Sequence, residues 1–373
     1  MPSSMLQPSM MQPSTERTTA SASALLSALP QLAKRHDLTR EQARAAMEEI
    51  LSGAATAAQI AMFIVALRAK GEAAEEVIGL AQAVRSRANP VRPRSTGMLV
   101  DTCGTGGDAS GTFNISTAAS FVAAGCGVRV AKHSNRSISS QCGSADVVEA
   151  MGINLSLPPE GMAACIDEVG IGFLFAPLLH SAWKYAQPVR RELRVRTVFN
   201  MLGPLCNPAG AAAQMSGFYD RRLVPLAATA LLELGVHHAF LVHGDFDGAR
   251  GLDEISTTGE TQIAEVKDGK VRLFTMHPEE VGLPRAVPAD LLGGTLAENV
   301  RMLRHLLAGA KGPKRDIVLL NAAAAVIAAG IAADWKEGLQ RAAHSIDSGA
   351  AKAMLLALIE FSNQWRPQEP AGS

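Results

Sequence analysis

Past residue 97, short apolar runs alternate with helix-length, Ala-rich segments. The runs Met98 to Val100, Val128 to Ala131, Gly172 to Phe175 and Ala239 to Val242 are each too short for a helix and are spaced for one between them. That alternation predicts an α/β domain over 97–366, with a central, mainly parallel sheet flanked by helices. Lys267-Asp268-Gly269-Lys270, between Ile263 to Val266 and Val271 to Phe274, predicts an antiparallel hairpin. Helical patterns return from Leu296 to Leu307 and from Asp316 onward.

The first part of the chain reads differently. Thr39 with Gln42 and Thr56 with Gln59 have capping-box spacing, and Ala43, Met47, Ile50 and Leu51 share one helical face before Gly53. A further helix is expected over Ala73 to Arg87. Residues 21–90 are thus expected to form a small all-helical domain, with another helical segment near 180–200. Pro90 and Pro93 mark a linker between the two domains. Met1 to Ala20, rich in Ser, Pro, Met and Gln, lacks a basic n-region before an apolar core and reads as a disordered extension.

Composition excludes several classes. With 35 Lys plus Arg against 35 Asp plus Glu, the net charge is +0, so no global field draws nucleic acid or an anionic membrane. No run approaches the length of a membrane span. The 5 cysteines contain no C-x-x-C pair, which argues against a disulfide framework or zinc site and fits a soluble protein of a reducing cytoplasm.

Any anion site must therefore be local. Directly after Val100 comes Asp101-Thr-Cys-Gly104-Thr105-Gly106-Gly107-Asp108, and Asn114-Ile115-Ser116-Thr117 then opens an Ala-rich helix. Glycines at a strand exit let backbone N–H groups approach an anion, and a helix N-terminus adds its positive end. Gly104-x-Gly106-x-x-Ala109 also satisfies a dinucleotide fingerprint, yet the acid that would hold the ribose is missing, since 109–145 contains no Asp or Glu. No Gly-Lys-Ser/Thr follows the loop, which excludes a Walker motif.

Lys132-His133-Ser134-Asn135-Arg136-Ser137-Ile138-Ser139-Ser140, then Gly143-Ser144, supply cationic and hydroxyl donors to an oxygen-rich ligand, the alternative being a solvated loop. Adjacent Asp253 and Glu254 repel unless a cation such as magnesium lies beside them, the alternative being an exposed acidic pair. Arg190, in Pro188-Val-Arg190-Arg191-Glu192-Leu193, offers a fork to a carboxylate substrate, the alternative being salt pairing on a helix surface.

In order, GTGGD, NIST, KHxNRSxSS with GSAD, GFLFAP, PVRREL with RTxFNxLGPLxNP, and GLDEIS resemble anthranilate phosphoribosyltransferases, colinearly from about Leu25 to Ser362. The resemblance implies a helical domain joined to an α/β domain, a homodimer, and an active site between the domains. It implies transfer of phosphoribosyl from phosphoribosyl pyrophosphate to the amine of anthranilate in tryptophan biosynthesis. Gly104, Gly107, Asp108, Thr112, Asn114, Ile115, Ser116 and Thr117, then Lys132, Asn135 to Ser140 and Ser144, are implied in donor binding. Ser116, Asp253 and Glu254 are implied around Mg2+. Gly104, His133, Asn135, His180 and Arg190 are implied on the acceptor side. No residue is implied as acid or base, and association with an anthranilate synthase is left open.

The chain departs from the family pattern at Ser134 and Arg194, where glycine is usual, and at Ser181 and Trp183, where Pro and Met are usual. Asp245 to Arg250 also makes a longer connection than is typical. These departures lie near the implied acceptor and metal residues, so an altered or substituted acceptor is one alternative. A pyrimidine nucleoside phosphorylase, related in fold, is a second. A non-catalytic nucleic-acid-binding relative is a third, disfavoured by the +0 charge.

Overall fold

The computed structural model describes residues 23–95, 97–136 and 142–367. The extension 1–20 and the expected donor residues Ser137, Ile138, Ser139 and Ser140 lie outside the described residues.

Four helices come first: α1 (Ala24–Ala33), α2 (Arg40–Ser52), α3 (Ala57–Lys70) and α4 (Ala74–Arg87). Thr39 and Thr56 each close the expected capping box, and Gly53 ends α2 in the left-handed region at φ 80°. Leu25, Met47, Phe63, Ile64 and Val77 meet in their shared core.

The sheet follows in the order β1 (Leu99–Asp101), α5 (Ile115–Gly125), β2 (Arg129–Ser134), α6 (Ser144–Ala150), α7 (Pro159–Glu168) and β3 (Ile171–Phe175). An excursion of short helices then departs from it: α8 (Ala176–Leu179), a 3-10 turn (Ser181–Tyr185), α9 (Gln187–Leu193) and α10 (Val198–Leu205). The chain returns through β4 (Ala213–Gly217), α11 (Leu223–Glu233), β5 (His238–Asp245), β6 (Gly251–Leu252), β7 (Thr261–Lys267) and β8 (Lys270–Met276). It closes with α12 (Leu296–Leu307), α13 (Pro313–Ala328), α14 (Trp335–Asp347) and α15 (Ala350–Gln364).

Strand order is β3-β2-β1-β4-β5-β7-β8, with β6 paired to β5. The first five strands run parallel, and β7 and β8 form the expected hairpin in the register Val266 to Val271. Alternation divides the strand side chains between two cores: Phe240, Val242 and Ile263 face the α5 and α13 side, whereas Ala239, Leu241, Ala264 and Val266 face α11. The excursion packs Ala186, Val189, Phe199 and Leu202 into the second core together with α1 to α4.

The strand β4 is absent from the sequence expectations. Ala213-Gln-Met-Ser-Gly217 carries no β-branched or aromatic residue, and it becomes a strand because all five positions are buried between β1 and β5. Its place matters. The chain winds outward through β1, β2 and β3, then crosses back to lay β4 beside β1, so the order reverses between these two strands. Ligands of open α/β sheets bind at such a switch point, beyond the carboxyl ends of the strands.

Candidate active site

The loop leaving β1 is fixed from below by Asp101. This fully buried carboxylate accepts from the backbone N–H of Cys103 at 2.9 Å and of His133 at 3.0 Å, and from Asn207 Nδ2 at 2.7 Å. The neighbouring strand grips the loop too: Ser216 Oγ donates to the Cys103 carbonyl at 2.6 Å, and Thr105 N–H donates to the Gly217 carbonyl at 2.9 Å. Gly106, Gly107, Ala109 and Gly111 all have φ between 60° and 75°, an arrangement that turns successive N–H groups into a concavity suited to anions.

Asp253 and Glu254 arrive from the other side of the switch point. The long connection Asp245 to Arg250 is a closed antiparallel turn: Gly244 pairs with Leu252, Asp245 pairs with Gly251, and Asp247 accepts from the N–H groups of Ala249 and Arg250. This hairpin delivers the acids directly onto the glycine loop. Asp253 Oδ2 accepts from Gly106 N–H at 2.7 Å, and Glu254 Oε1 accepts from Ser116 N–H at 3.0 Å, placing a carboxylate at the positive end of α5. Asp108 joins them, accepting from Ser110 N–H at 3.1 Å and from Asp253 N–H at 3.3 Å. A side chain at Gly217 would run into the Asp253 backbone, so glycine is required there for the two segments to touch.

Burial raises the pKa of both Asp253 and Glu254. The nearby charge of Asp108 pushes in the same direction, while Lys132 opposes it at Glu254. Asp253 and Glu254 therefore hold a proton more readily than ordinary carboxylates, a tendency that a cation sharing their space would reverse. Among the described residues no group of three or more His, Cys, Asp or Glu is arranged to hold a metal alone. The donors present are hard oxygens, which suits magnesium, an ion that takes one or two protein carboxylates and fills its remaining positions with phosphate oxygens and water.

Lys132 is buried on β2 and donates to the Thr102 carbonyl at 2.7 Å, which brings its charge beside the glycine loop. Thr112 bridges to Leu292, and Asn114 reaches the Cys142 carbonyl at 3.4 Å. Ile115 is a core residue and offers only backbone to the site. Thr117 is buried with its hydroxyl unpartnered. Asn135 is exposed, and its carbonyl accepts from Ala145 N–H at 3.2 Å beside Ser144. Arg136 is turned away from the loop, pairing with Asp146 at 2.8 Å and Glu149 at 2.9 Å on α6.

The acceptor-side residues form a ladder of rings. His133 lies 5.0 Å from His180, His180 lies 5.6 Å from Trp183, and Trp183 meets Phe199 edge-on at 5.8 Å. The Arg190 guanidinium sits 5.4 Å over Trp183 and 5.2 Å over Phe199. Arg190 is not on a salt-paired helix surface. It is half-buried, has no carboxylate within ion-pair distance among the described residues, and desolvation of its guanidinium lowers its pKa to about 10. Burial pushes His180 down to about 3 and lowers His133 as well, so both rings are neutral at physiological pH. His133 Nδ1 lies 3.1 Å from the Gly203 carbonyl; its Nε2, the Trp183 Nε1 and both ring nitrogens of His180 make no hydrogen bond of good geometry.

Trp183 stands in the sequence as a departure from the family pattern and Phe199 as part of the RTxFN motif, but neither is singled out there as a site residue; their packing on Arg190 does that. Ser134 is an ordinary strand residue, in register with Phe175 and buried with its hydroxyl unpartnered, so the backbone does not demand glycine there. Arg194 does occupy a glycine-type conformation, ending α9 at φ 51° and ψ 26°.

A helical unit joined to an α/β domain whose switch point carries a glycine loop, acids and a buried cation defines a class. The α/β domain model of the glycosyl transferase family matches residues 96–352, and that family's helical bundle domain matches residues 23–88. The anthranilate phosphoribosyltransferase of Anaeromyxobacter dehalogenans is 53% identical over 332 residues, covering 89% of this chain and 97% of the relative. That of Solibacter usitatus is 52% identical, covering 91% and 99%. The crystal structure of anthranilate phosphoribosyltransferase from Thermus thermophilus superposes with a TM-score of 0.84 at 42% identity, covering 90% of this chain and 99% of that one. The enzyme from Saccharomyces cerevisiae in complex with PRPP and Mg gives 0.83 at 28% identity, covering 92% and 99%. The chain belongs to the anthranilate phosphoribosyltransferase family.

Proposed function

We propose that this chain is an enzyme transferring the 5-phosphoribosyl group from phosphoribosyl pyrophosphate to the amine of anthranilate, giving N-(5-phosphoribosyl)anthranilate and pyrophosphate in tryptophan biosynthesis. The observation that carries this reading is the partly desolvated, carboxylate-free guanidinium of Arg190, set in a ladder of neutral rings that starts on the strand next to the glycine loop. An isolated buried cation is costly, and an aromatic carboxylate would satisfy both its charge and its surroundings.

The donor would lie across the switch point. Gly104 and Gly107 let the chain approach its phosphates, with Asp108, Thr112, Asn114 to Thr117, Lys132, Asn135 and Ser144 around it. Asp253, Glu254 and Ser116 would hold magnesium. When bound, that ion neutralises charge that collects on the departing pyrophosphate. Lys132 adds a fixed positive charge in the same place, and positive charge developing on the ribose meets buried acids. Anthranilate's aromatic amine is weakly basic and attacks unprotonated, so placement by Arg190, His133 and His180 supplies what a general base would otherwise contribute.

We assign 21–90 with the segment near 180–200 to a helical domain and 97–366 to the donor-binding domain. A homodimer through the helical part is supported by exposed Met62 (59%) and Val65 (47%) on α3. No helix among the described residues is long and apolar enough to cross a membrane, and the balanced charge and the lack of a C-x-x-C pair support a cytoplasmic location. Purified protein mixed with anthranilate, phosphoribosyl pyrophosphate and magnesium should consume anthranilate fluorescence only when all three are present. Turnover that survives omission of any one of them would overturn the reading.

A further inference from the structure

We propose that Trp183 is a specificity-determining residue of the acceptor site, its indole N–H donating to an oxygen substituent on the ring of an anthranilate. The acceptor class then extends beyond anthranilate to hydroxylated relatives. This rests on the function proposed above and deepens it.

An indole nitrogen can only donate. Nε1 of Trp183 is sealed from solvent without a partner, a situation that buried polar groups rarely tolerate unless something else completes them. Its neighbours do not supply what it lacks. Phe199, packed at right angles to the indole, is a hydrocarbon without a lone pair to offer, and Arg190 is itself a donor. His180 is neutral and close, but makes no hydrogen bond to it.

The ladder therefore contains two donors in want of acceptor atoms, Arg190 and Trp183. They are aimed differently: the guanidinium lies over the face of the indole, whereas the N–H projects from the ring edge. A carboxylate held by the guanidinium above the face stands away from the plane of the N–H. A second oxygen is needed for Trp183, and on an anthranilate that oxygen must be a ring substituent. His133 and His180 are neutral, so beyond Arg190 the ladder offers no further positive charge to a second anion, which favours a neutral hydroxyl.

The test compares hydroxy- with methyl-anthranilates at each ring position, as the ratio of their kcat/KM values. In the wild type one position should favour hydroxyl over methyl by about tenfold, the worth of one hydrogen bond in a site built for it. Trp183→Phe, which keeps the ring and removes the donor, should collapse that preference toward unity at the same position. A ratio unchanged by the substitution at every position would overturn the proposal, as would an equal rise in KM for all acceptors, which would make Trp183 a partner of the carboxylate. Nuclear magnetic resonance of the indole N–H groups in the wild type gives a readout that does not depend on the folding of the Trp183→Phe variant. The chain has 3 tryptophans, and elimination with Trp335→Phe and Trp365→Phe assigns the Trp183 signal. It should move downfield with the favoured hydroxy analogue and hold still with its methyl counterpart; identical shifts would refute the contact. If unsubstituted anthranilate is not consumed by the wild type at all, the proposed function fails instead.

Discussion

On the acid side of the site Asp253 and Glu254 each accept a backbone N–H, from Gly106 and Ser116, and Asp108 accepts two more. On the aromatic side, ring nitrogens of His133, His180 and Trp183 lack partners, and Arg190 lacks a counter-ion. The first region is completed by the chain and strained by its own like charges; the second is left incomplete in hydrogen bonds. A site of this kind presents preformed oxygen ligands to a cation and phosphate, and unmet donors to an aromatic acid. The contrast teaches where each substrate's recognition resides.

The contrast breaks most visibly at the acids. Alanine at Asp253 or Glu254 should lower kcat/KM by about 10²- to 10³-fold at fixed magnesium, the usual cost of losing one preorganised electrostatic element. The magnesium needed for half-maximal activity should rise with it, and an unaltered magnesium titration would remove these residues from the metal site. Arg190→Ala is next, and should raise the KM for anthranilate by about 10- to 100-fold while sparing the donor KM. Equal effects on both substrates would mean that the two regions are not separate.

Acid should sharpen the comparison. His180 has a folded-state pKa near 3, below its ordinary 6.5, so the unfolded chain binds the proton more readily than the folded one. Its contribution is thus full above about pH 6.5 and is lost as pH falls toward 3, with a slope of at most about 1.4 kcal/mol per pH unit. Denaturant midpoints for His180→Phe should be flatter across that window than those of the wild type; parallel curves would show that His180 is not the titrating group. The smallest effect is expected at Arg194, whose left-handed backbone suits glycine. Arg194→Gly should stabilise by about 0.5–1 kcal/mol in thermal unfolding, and a loss would show that the arginine side chain holds α9 by contacts that outweigh its backbone strain.

The two regions also differ in how far the sequence discloses them. Thr39 with Gln42, and Thr56 with Gln59, announce helix starts because capping is a local interaction. The glycine loop, Asn114 to Thr117 and Asp253-Glu254 are legible for a similar reason: closely spaced residues of unusual type imply their own chemistry. Contact between Ser116 and Glu254 is another matter, for they stand 138 residues apart and meet only because β4 returns to lie beside β1. That strand is invisible to propensity, being Ala-Gln-Met-Ser-Gly. The aromatic ladder is harder still. Its members lie on a strand, a helix end, a 3-10 turn and two helices, and no local rule states that Trp183 and Phe199 will enclose Arg190. Arg136 shows another dependence on the fold: a cation that suits phosphate in sequence also pairs with Asp146 and Glu149 on α6 in the structure.

Apart from His133, the whole ladder comes from the single excursion between β3 and β4. The glycine loop is anchored to the sheet, and Gly217 leaves no gap between β4 and the acid-bearing hairpin. Descendants of this chain can therefore exchange side chains along 176–205 and try new acceptors while inheriting the phosphate machinery untouched. For a designer, the same partition sets the bounds of a library: variation confined to that stretch samples new products, and variation at the carboxyl ends of β1 and β4 samples loss.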